Sequence, residues 1–331
     1  MKKIYSFLLL MLCVSATAFA GNAKCLLHHN GAVTIYDSDD LNNALNAAVD
    51  GDTLFLSEGS FAGFTITKKI TVRGSGQFTK VGGDILVNIA NIPSLTSALI
   101  EGVYCNSSLK INAAVDGMQI KQCVFQDFAP VADVTNAVFD KVYITGYIYL
   151  NKFVKSLTAN NSKVYYIYNQ GYMDGLGYGN DVLSNASIYF FNCNIRTIGG
   201  NLKYVSFLNC VMTGFDNDLQ NCNISYCLAT KRYGFSYNAV STSVVNCYIN
   251  SDDNDGNGSG NALLSDIVEC RHDAATLVSK GFIGNDGTAV GCMGGTTPYT
   301  LVLAGPKVTE STIQLDNDTK QLSVTLKVSA K

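Results

Sequence analysis

Five short segments of this 331-residue chain share one pattern: Gln122-Cys123-Val124-Phe125, Asn192-Cys193-Asn194-Ile195, Asn209-Cys210-Val211-Met212, Asn221-Cys222-Asn223-Ile224 and Asn246-Cys247-Tyr248-Ile249. Each sets an amide side chain before a cysteine and an apolar residue two places after it. A polar corner residue beside a small buried one, recurring at the length of a coil, suits a stacked β-solenoid, where each rung buries its apolar face only against its neighbours. Candidate corners at Tyr104, Gln122, Lys141, Asn161, Asn192, Asn209, Asn221 and Asn246 are spaced by 18, 19, 20, 31, 17, 12 and 25 residues. A mean spacing near 20 residues fits a three-sided coil of short strands. The 12-residue step is too short for a coil, so one corner is displaced by a strand. Stacked corner amides are expected to hydrogen-bond in a ladder along the axis.

Composition narrows the class. Charged residues make up 15% of the chain; there are 18 Tyr, 4 Pro and no Trp. Few charges and little proline among many Asn, Ser, Thr and Tyr describe stacked strands with short polar turns, not a disordered or helical chain. The formal charge is −3, and no basic run is longer than Lys68-Lys69 or Lys231-Arg232. Neither feature fits a nucleic-acid partner.

Lys2 and Lys3, the apolar Phe7–Val14 and Ala18-Phe19-Ala20 form a secretory signal, residues 1–20, with the mature chain expected from Gly21. Leu12 is too large to make Cys13 a lipid-attachment site. The apolar run is shorter than the roughly 20 residues of a membrane-spanning helix, and no later segment reaches that length. A secreted, periplasmic or outer-surface location follows. Ten of the eleven cysteines lie beyond the signal. Cys193, Cys210, Cys222 and Cys247 are expected to stack as buried free thiols, since parallel Cα–Cβ vectors suit a bridge poorly. Cys25 with Cys105, and Cys227 with Cys270, are the pairs to check for disulfides.

Asp39–Asp50 reads as a helix with one apolar face, Leu41, Ala44, Leu45 and Ala48. Ser38 or Asp39 caps it and Gly51 stops it. Such a helix can cover the open end of a first coil. Strands then follow in Asp50-Gly51-Asp52-Thr53-Leu54-Phe55-Leu56, Gly59-Ser60-Phe61, Phe64-Thr65-Ile66 and Lys69-Ile70-Thr71-Val72-Arg73-Gly74-Ser75-Gly76. Over the helix and these strands, ~35 residues together, the order of glycines and apolar positions resembles the opening of the pectin-lyase-like right-handed parallel β-helix proteins. That resemblance implies an all-β fold, a right-handed parallel β-helix over residues 21–295 with the cap helix at 39–50. Gly284-Asn285-Asp286-Gly287-Thr288-Ala289-Val290-Gly291 and Gly294-Gly295 resemble the segment that closes such helices, so Phe282–Gly295 is expected to be the last coil. Residues 296–331 form a C-terminal module. Ile313 and Leu315 pair with Leu322–Val328 as a hairpin, which covers the final coil or joins a strand at Tyr299–Leu303.

The resemblance carries over no catalytic residue. Lyases of this kind use Ca2+-binding carboxylates with an Arg or Lys base, and hydrolases use two or three clustered Asp; neither pattern occurs here. Lys231-Arg232-Tyr233 is a candidate basic contact, or an exposed turn. Two regions carry binding chemistry. Tyr166, Tyr168, Tyr172, Asp174 and Tyr178, with Tyr165, Asn169, Gln170, Asn180 and Asp181, gather around a Gly- and Tyr-rich insertion. Rings cover the apolar faces of sugars and amides bridge their hydroxyls; alternate tyrosines are expected to point inward. Asp253, Asp255 and Asn257 before Gly258 match the first half of a Ca2+ loop. Its twelfth position is Leu264, with Asp266 nearby, so a solvated turn is the alternative. No cofactor is required beyond that candidate Ca2+.

Three functions fit: a non-catalytic glycan-binding or adhesin-like protein, a polysaccharide lyase or glycoside hydrolase, and a structural surface spacer. A polysaccharide or surface glycan is the expected partner of the first two.

Overall fold

A computed structural model describes residues 23–89, 99–169, 186–199, 202–214, 219–229, 241–249, 274–300, 307–315 and 322–329. The strands from Thr53 to Ile249 wind into a parallel β-solenoid of about eight turns. Its most regular wall carries ten inward residues in register: Leu54, Val72, Ile100, Ile120, Phe139, Ala159, Phe190, Phe207, Ile224 and Val244. All are buried except Val244, which is half-buried and lies on the last rung among the described residues. Ala159, the one small member, sits between Phe139 and Phe190, and Phe190 stacks on Phe207 at 5.3 Å. One residue further along, side chains turn outward. Arg73, Glu101, Lys121 and Asp140 alternate in sign on consecutive rungs there, with Arg73 Nε 3.2 Å from Glu101 Oε2.

The coil corners explain the recurring sequence pattern. Gly102, Gln122, Lys141, Asn161, Asn192, Asn209, Tyr226 and Asn246 all have φ between +48° and +65°, the left-handed region that Asn and Gly tolerate best. The next residue on each rung is buried: Val103, Cys123, Val142, Ser162, Cys193, Cys210, Cys227 and Cys247. Cysteine is favoured because the carbonyl two residues before it has a spare lone pair turned inward. The Phe191 carbonyl accepts the Asn161 amide at 3.0 Å and the Cys193 thiol at 3.3 Å. The carbonyls of Leu208, Ser225 and Val245 serve Cys210, Cys227 and Cys247 in the same way. Ser162 does it with a hydroxyl, at 2.8 Å from the Asn160 carbonyl.

Two expected corners are therefore corrected. Gly102 stands where Tyr104 was expected, and Tyr226 where Asn221 was. The spacing becomes 20, 19, 20, 31, 17, 17 and 20 residues. Asn221, at φ +52°, belongs to a second corner with Asn136, Tyr204 and Ser241. Cys222 accordingly stacks on Val205, not in the row of Cys193, Cys210 and Cys247. An axial side-chain ladder exists at that second corner: Asn136 Nδ2 donates to Asp116 Oδ1 at 2.8 Å, and Ser156 Oγ to Asn136 Oδ1 at 3.2 Å. At the first corner the Asn192 amide points elsewhere, as shown below.

The expected helix is present as Leu41–Ala47, after a 3-10 turn at Ser38–Asp40. Leu41, Ala44, Leu45 and Ala48 are buried in the solenoid's core. Neither Asp37 nor Asp40, at the two N-cap positions, makes a side-chain capping bond; the Ser38 and Asp39 proposed as caps lie inside the turn. Its C-terminal end is capped instead by the Lys68 ammonium, which donates to the carbonyls of Leu45, Asn46 and Ala48. A hairpin not expected from the sequence completes this end. Lys24–His29 and Ala32–Asp37 pair antiparallel around Asn30-Gly31, at φ +46° and +83°, and Lys24–His29 pairs antiparallel with Thr53–Leu56. Asp52 joins the two parts, accepting from the Val49 amide at 2.8 Å and lying 2.7 Å from His29 Nδ1. Burial alone would raise the Asp52 carboxyl; the Val49 amide and His29 outweigh it and hold it below its ordinary value.

Phe282–Gly295 is not a further coil. Its backbone makes one isolated antiparallel bridge, Ile283 to Ala289, and then runs back along the outside of the stack. The Gly291 amide donates to the Tyr226 carbonyl at 2.8 Å, and Asn192 Nδ2 donates to the Gly294 carbonyl at 2.6 Å. Tyr299 and Thr300 reach Lys141 and Lys163, several rungs nearer the N-terminus. With the helix Ala274–Ser279 this strap buries Leu277, Phe282 and Val290 against Val211 and Leu228. Those two residues lie in an outward-facing column, where apolar side chains make sense only beneath a cover. The C-terminal hairpin pairs Lys307–Leu315 with Leu322–Ser329, Leu315 opposite Leu322, as expected. A strand over all of Tyr299–Leu303 lies partly outside the described residues; Tyr299 and Thr300 are not in one.

Among the described residues eight cysteines are free and buried: Cys25, Cys105, Cys123, Cys193, Cys210, Cys222, Cys227 and Cys247. The candidate bridges Cys25–Cys105 and Cys227–Cys270 are thus not made. Cys292, in the strap, is disulfide-bonded.

Candidate saccharide-binding flank

Of the tyrosines picked out from sequence, Tyr165, Tyr166 and Tyr168 are described; Tyr172, Asp174 and Tyr178 lie outside the described residues, as do Asp253, Asp255 and Asn257 of the candidate Ca2+ loop, Arg232 and the expected signal at residues 1–20. Among the described residues no group of three or more His, Cys, Asp or Glu is placed to hold a metal ion, and no helix is long and apolar enough to cross a membrane.

None of the three described tyrosines points into the core, contrary to the expected alternation. The strand Lys163–Tyr168 turns a corner at Tyr165, so Val164 and Ile167 are buried while Tyr165, Tyr166 and Tyr168 face outward. The strand beneath it, Tyr143–Tyr149, shifts register between Ile144 and Tyr147 for the same reason. That shift sets Tyr147 against Tyr166 and Tyr149 against Tyr168.

The result is a two-by-two array of rings. Tyr147 and Tyr149 stack at 5.5 Å and 24°. Across the rungs, Tyr147 and Tyr166 lie at 5.1 Å, and Tyr149 and Tyr168 at 6.5 Å; Tyr166 and Tyr168 meet edge-on at 5.8 Å. Tyr147 is 40% exposed and the other three are half-buried. Below the array the Asp127 carboxylate accepts the Tyr147 amide at 2.7 Å and fixes the strand's entry. Above it, Tyr166 leans over Gly199. A Cβ at Gly199 would fall 2.3 Å from the Tyr166 hydroxyl oxygen, so a side chain on the rung above would push the Tyr166 ring out of its place. Tyr165, in the same strand beside Tyr166, carries the Arg196 guanidinium 4.4 Å over its ring.

Tyr147 and Tyr149 were missed from sequence. The signal was present: Tyr147-Ile148-Tyr149 and Tyr166-Ile167-Tyr168 are the same motif, 19 residues apart. Finding it requires the coil register. At the start of the same two strands lies a crevice of about 140 Å3 lined by Lys141, Tyr143, Asn161, Lys163, Tyr299 and Thr300.

The polar site at Asp84 is structural. Ser107 Oγ donates to it at 2.5 Å, the Ser108 amide at 3.1 Å and Lys110 Nζ at 2.9 Å. Burial acts to raise its carboxyl, and these three donors overcome that and hold it below the ordinary value. It is an anchor between coils, unsuited to giving up a proton at neutral pH.

Comparison with protein-family models, with curated proteins and with solved structures finds no match to this chain.

Proposed function

We propose that this chain is a non-catalytic, secreted or cell-surface glycan-binding protein that seats saccharide on the flank formed by Tyr147, Tyr149, Tyr166 and Tyr168. The observation that carries the proposal is the four-ring array itself, two rungs deep and two residues wide, on an outward face. Apolar faces of pyranose rings match such a surface, and phenol hydroxyls at its edge match their hydroxyls. A rigid solenoid keeps the rings in place, so little order is lost on binding. Kinship with the pectin-lyase-like β-helix proteins, resembled by residues 50–76, belongs to this proposal. So do export by residues 1–20 and Ca2+ at Asp253, Asp255 and Asn257.

One observation favours a second function, the structural spacer: the rings touch one another across rungs and so also stabilise the stack. A single experiment separates these from an enzyme. The mature protein is run by affinity electrophoresis through neutral and acidic polysaccharides, with and without Ca2+, beside Tyr147→Ala and Tyr168→Ala. Retardation that falls about tenfold in either variant, as expected for about 1.4 kcal/mol per stacked ring, supports binding. Retardation that is unchanged in both variants contradicts the flank. New reducing or unsaturated ends identify an enzyme, and no retardation by any glycan leaves the spacer.

A further inference from the structure

We infer that this protein pairs with a second copy of itself through the open edge of its N-terminal hairpin, the strand Ala32–Asp37. That strand is bonded to Lys24–His29 on one side; among the described residues no strand pairs with its other side. The hairpin turns on Asn30-Gly31 alone, so His29 and Ala32 beside the turn form a hydrogen-bonded pair. Alternation then directs the backbone groups of Ala32, Thr34 and Tyr36 toward Lys24–His29, and those of Val33 and Ile35 toward the open edge. The side chains there are uncovered as well: Val33 is 55% and Ile35 65% exposed. In register across the sheet, Ile35 lies beside Leu26 and Leu26 beside the exposed Phe55, so the apolar surface runs inward from the edge. Between Ala32 and Tyr36 there is no charge, no proline and no bulge, the devices that keep an edge strand from adding to another.

A second copy is the occupant that fits, because the strand is complementary to itself. Antiparallel pairing sets residues of the same face opposite one another and exchanges both backbone bonds at alternate positions. A two-fold axis at Thr34 meets both demands. Val33 then falls opposite Ile35 of the second copy, Ile35 opposite its Val33, and Thr34 opposite its Thr34. The Val33–Ile35 pairs are the hydrogen-bonded ones, since both residues turn their backbone groups outward, and they also set β-branched side chains against each other on the outer face. An axis displaced by half a residue would oppose Val33 to Tyr36, whose backbone groups are already used and whose side chain packs inward on the core. The contact is isologous and consumes both edges, so assembly stops at the dimer. Pairing along Ala32–Tyr36 makes a small interface, which places the dissociation constant at about 10 μM. The two solenoids meet by their N-terminal ends. The dimer carries two copies of the Tyr147 flank, and a polymer that reaches both is held at two sites.

The test is sedimentation velocity of the full mature protein from about 1 to about 200 μM, a range that brackets the expected constant. The expected result is a monomer–dimer equilibrium with no larger species. Val33→Lys/Ile35→Lys sets like charges opposite one another and weakens the dimer at least about tenfold. Val33→Lys/Ile35→Glu brings opposite charges together in this register, and recovers a dimer that added salt loosens. Thr34→Cys places one thiol from each copy on the axis, within bridging range, and yields a disulfide-linked dimer under a mild oxidant such as diamide. The native free thiols among the described residues are buried and do not compete. Protein that stays monomeric throughout, growth past the dimer, a Lys/Lys variant as tight as wild type, a Lys/Glu variant that stays monomeric, or Thr34→Cys that fails to cross-link overturns the inference. Val33, Thr34 and Ile35 are exposed, so the variants keep the fold, which circular dichroism checks. If a double variant does not fold, Ile35→Lys alone must weaken the dimer at least about threefold.

Discussion

At the residue scale this fold is a matter of corners. Each coil reverses at left-handed residues, and after the first such corner the next residue is small and buried, in most coils a Cys or Ser that donates inward. Asn, Gly, Cys and Ser answer those demands, which is why an amide-cysteine pattern is visible in the sequence. Gly102 and Tyr226 fill the same corners without an amide, so the pattern skips them, and Asn221 copies it at another corner. Tyr204, like Lys141 and Tyr226, is a poor fit to its corner: at φ +57° a side chain crowds its own backbone, and that of Tyr204 is 38% exposed. Tyr204→Asn is expected to stabilise the protein by about 0.5–1 kcal/mol in urea unfolding; a loss of stability there contradicts the corner argument. The thiols make a second prediction. Burial pushes Cys105 up to about 11 and Cys123 up to about 12, and raises Cys193 and Cys227 as well. Native protein at pH 8 should therefore leave these cysteines unmodified by iodoacetamide, with all of them alkylated once unfolded in guanidinium. Rapid native labelling of Cys193 or Cys227 is the contrary outcome.

At the element scale the two attachments to the solenoid differ in how legible they are. The helix Leu41–Ala47 follows from the spacing of its apolar residues alone. The hairpin before it had a signal too, Asn30-Gly31, the dipeptide that best fits a two-residue turn. Its strands hide the signal, because Val33 and Ile35 are exposed rather than buried and the segment shows no clear polar face. The strap is illegible for a different reason. Its glycines look like the end of a coil, and only the apolar Val211 and Leu228 on an outward column reveal that something must cover them. The N-terminal end should also be acid-sensitive. Asp52 and Asp84 sit below their ordinary value of 3.8 in the folded protein. Their contribution is complete above that value and is lost as pH falls through the lower folded values. The thermal midpoint should thus fall steeply below about pH 4, and Asp52→Asn should make that fall shallower. A variant with an unchanged acid limb contradicts the role given to Asp52.

At the scale of the whole molecule, local rules suffice for the stack, since every rung meets only its neighbours. That locality made the solenoid readable from sequence. It also limits what could be read of the site: Tyr166 and Tyr168 stood out by composition, whereas Tyr147 and Tyr149 join them only through a register that the sequence leaves one strand in doubt. The register is consequently the claim to test first. Long-wavelength diffraction from a crystal of the native protein, mapping sulfur by its anomalous signal, measures it directly. The account predicts four sulfurs in a row, Cys193, Cys210, Cys227 and Cys247, spaced at about the 4.8 Å of stacked strands, with Cys222 well off that line. A row containing Cys222 in place of Cys227, or no row at all, contradicts it.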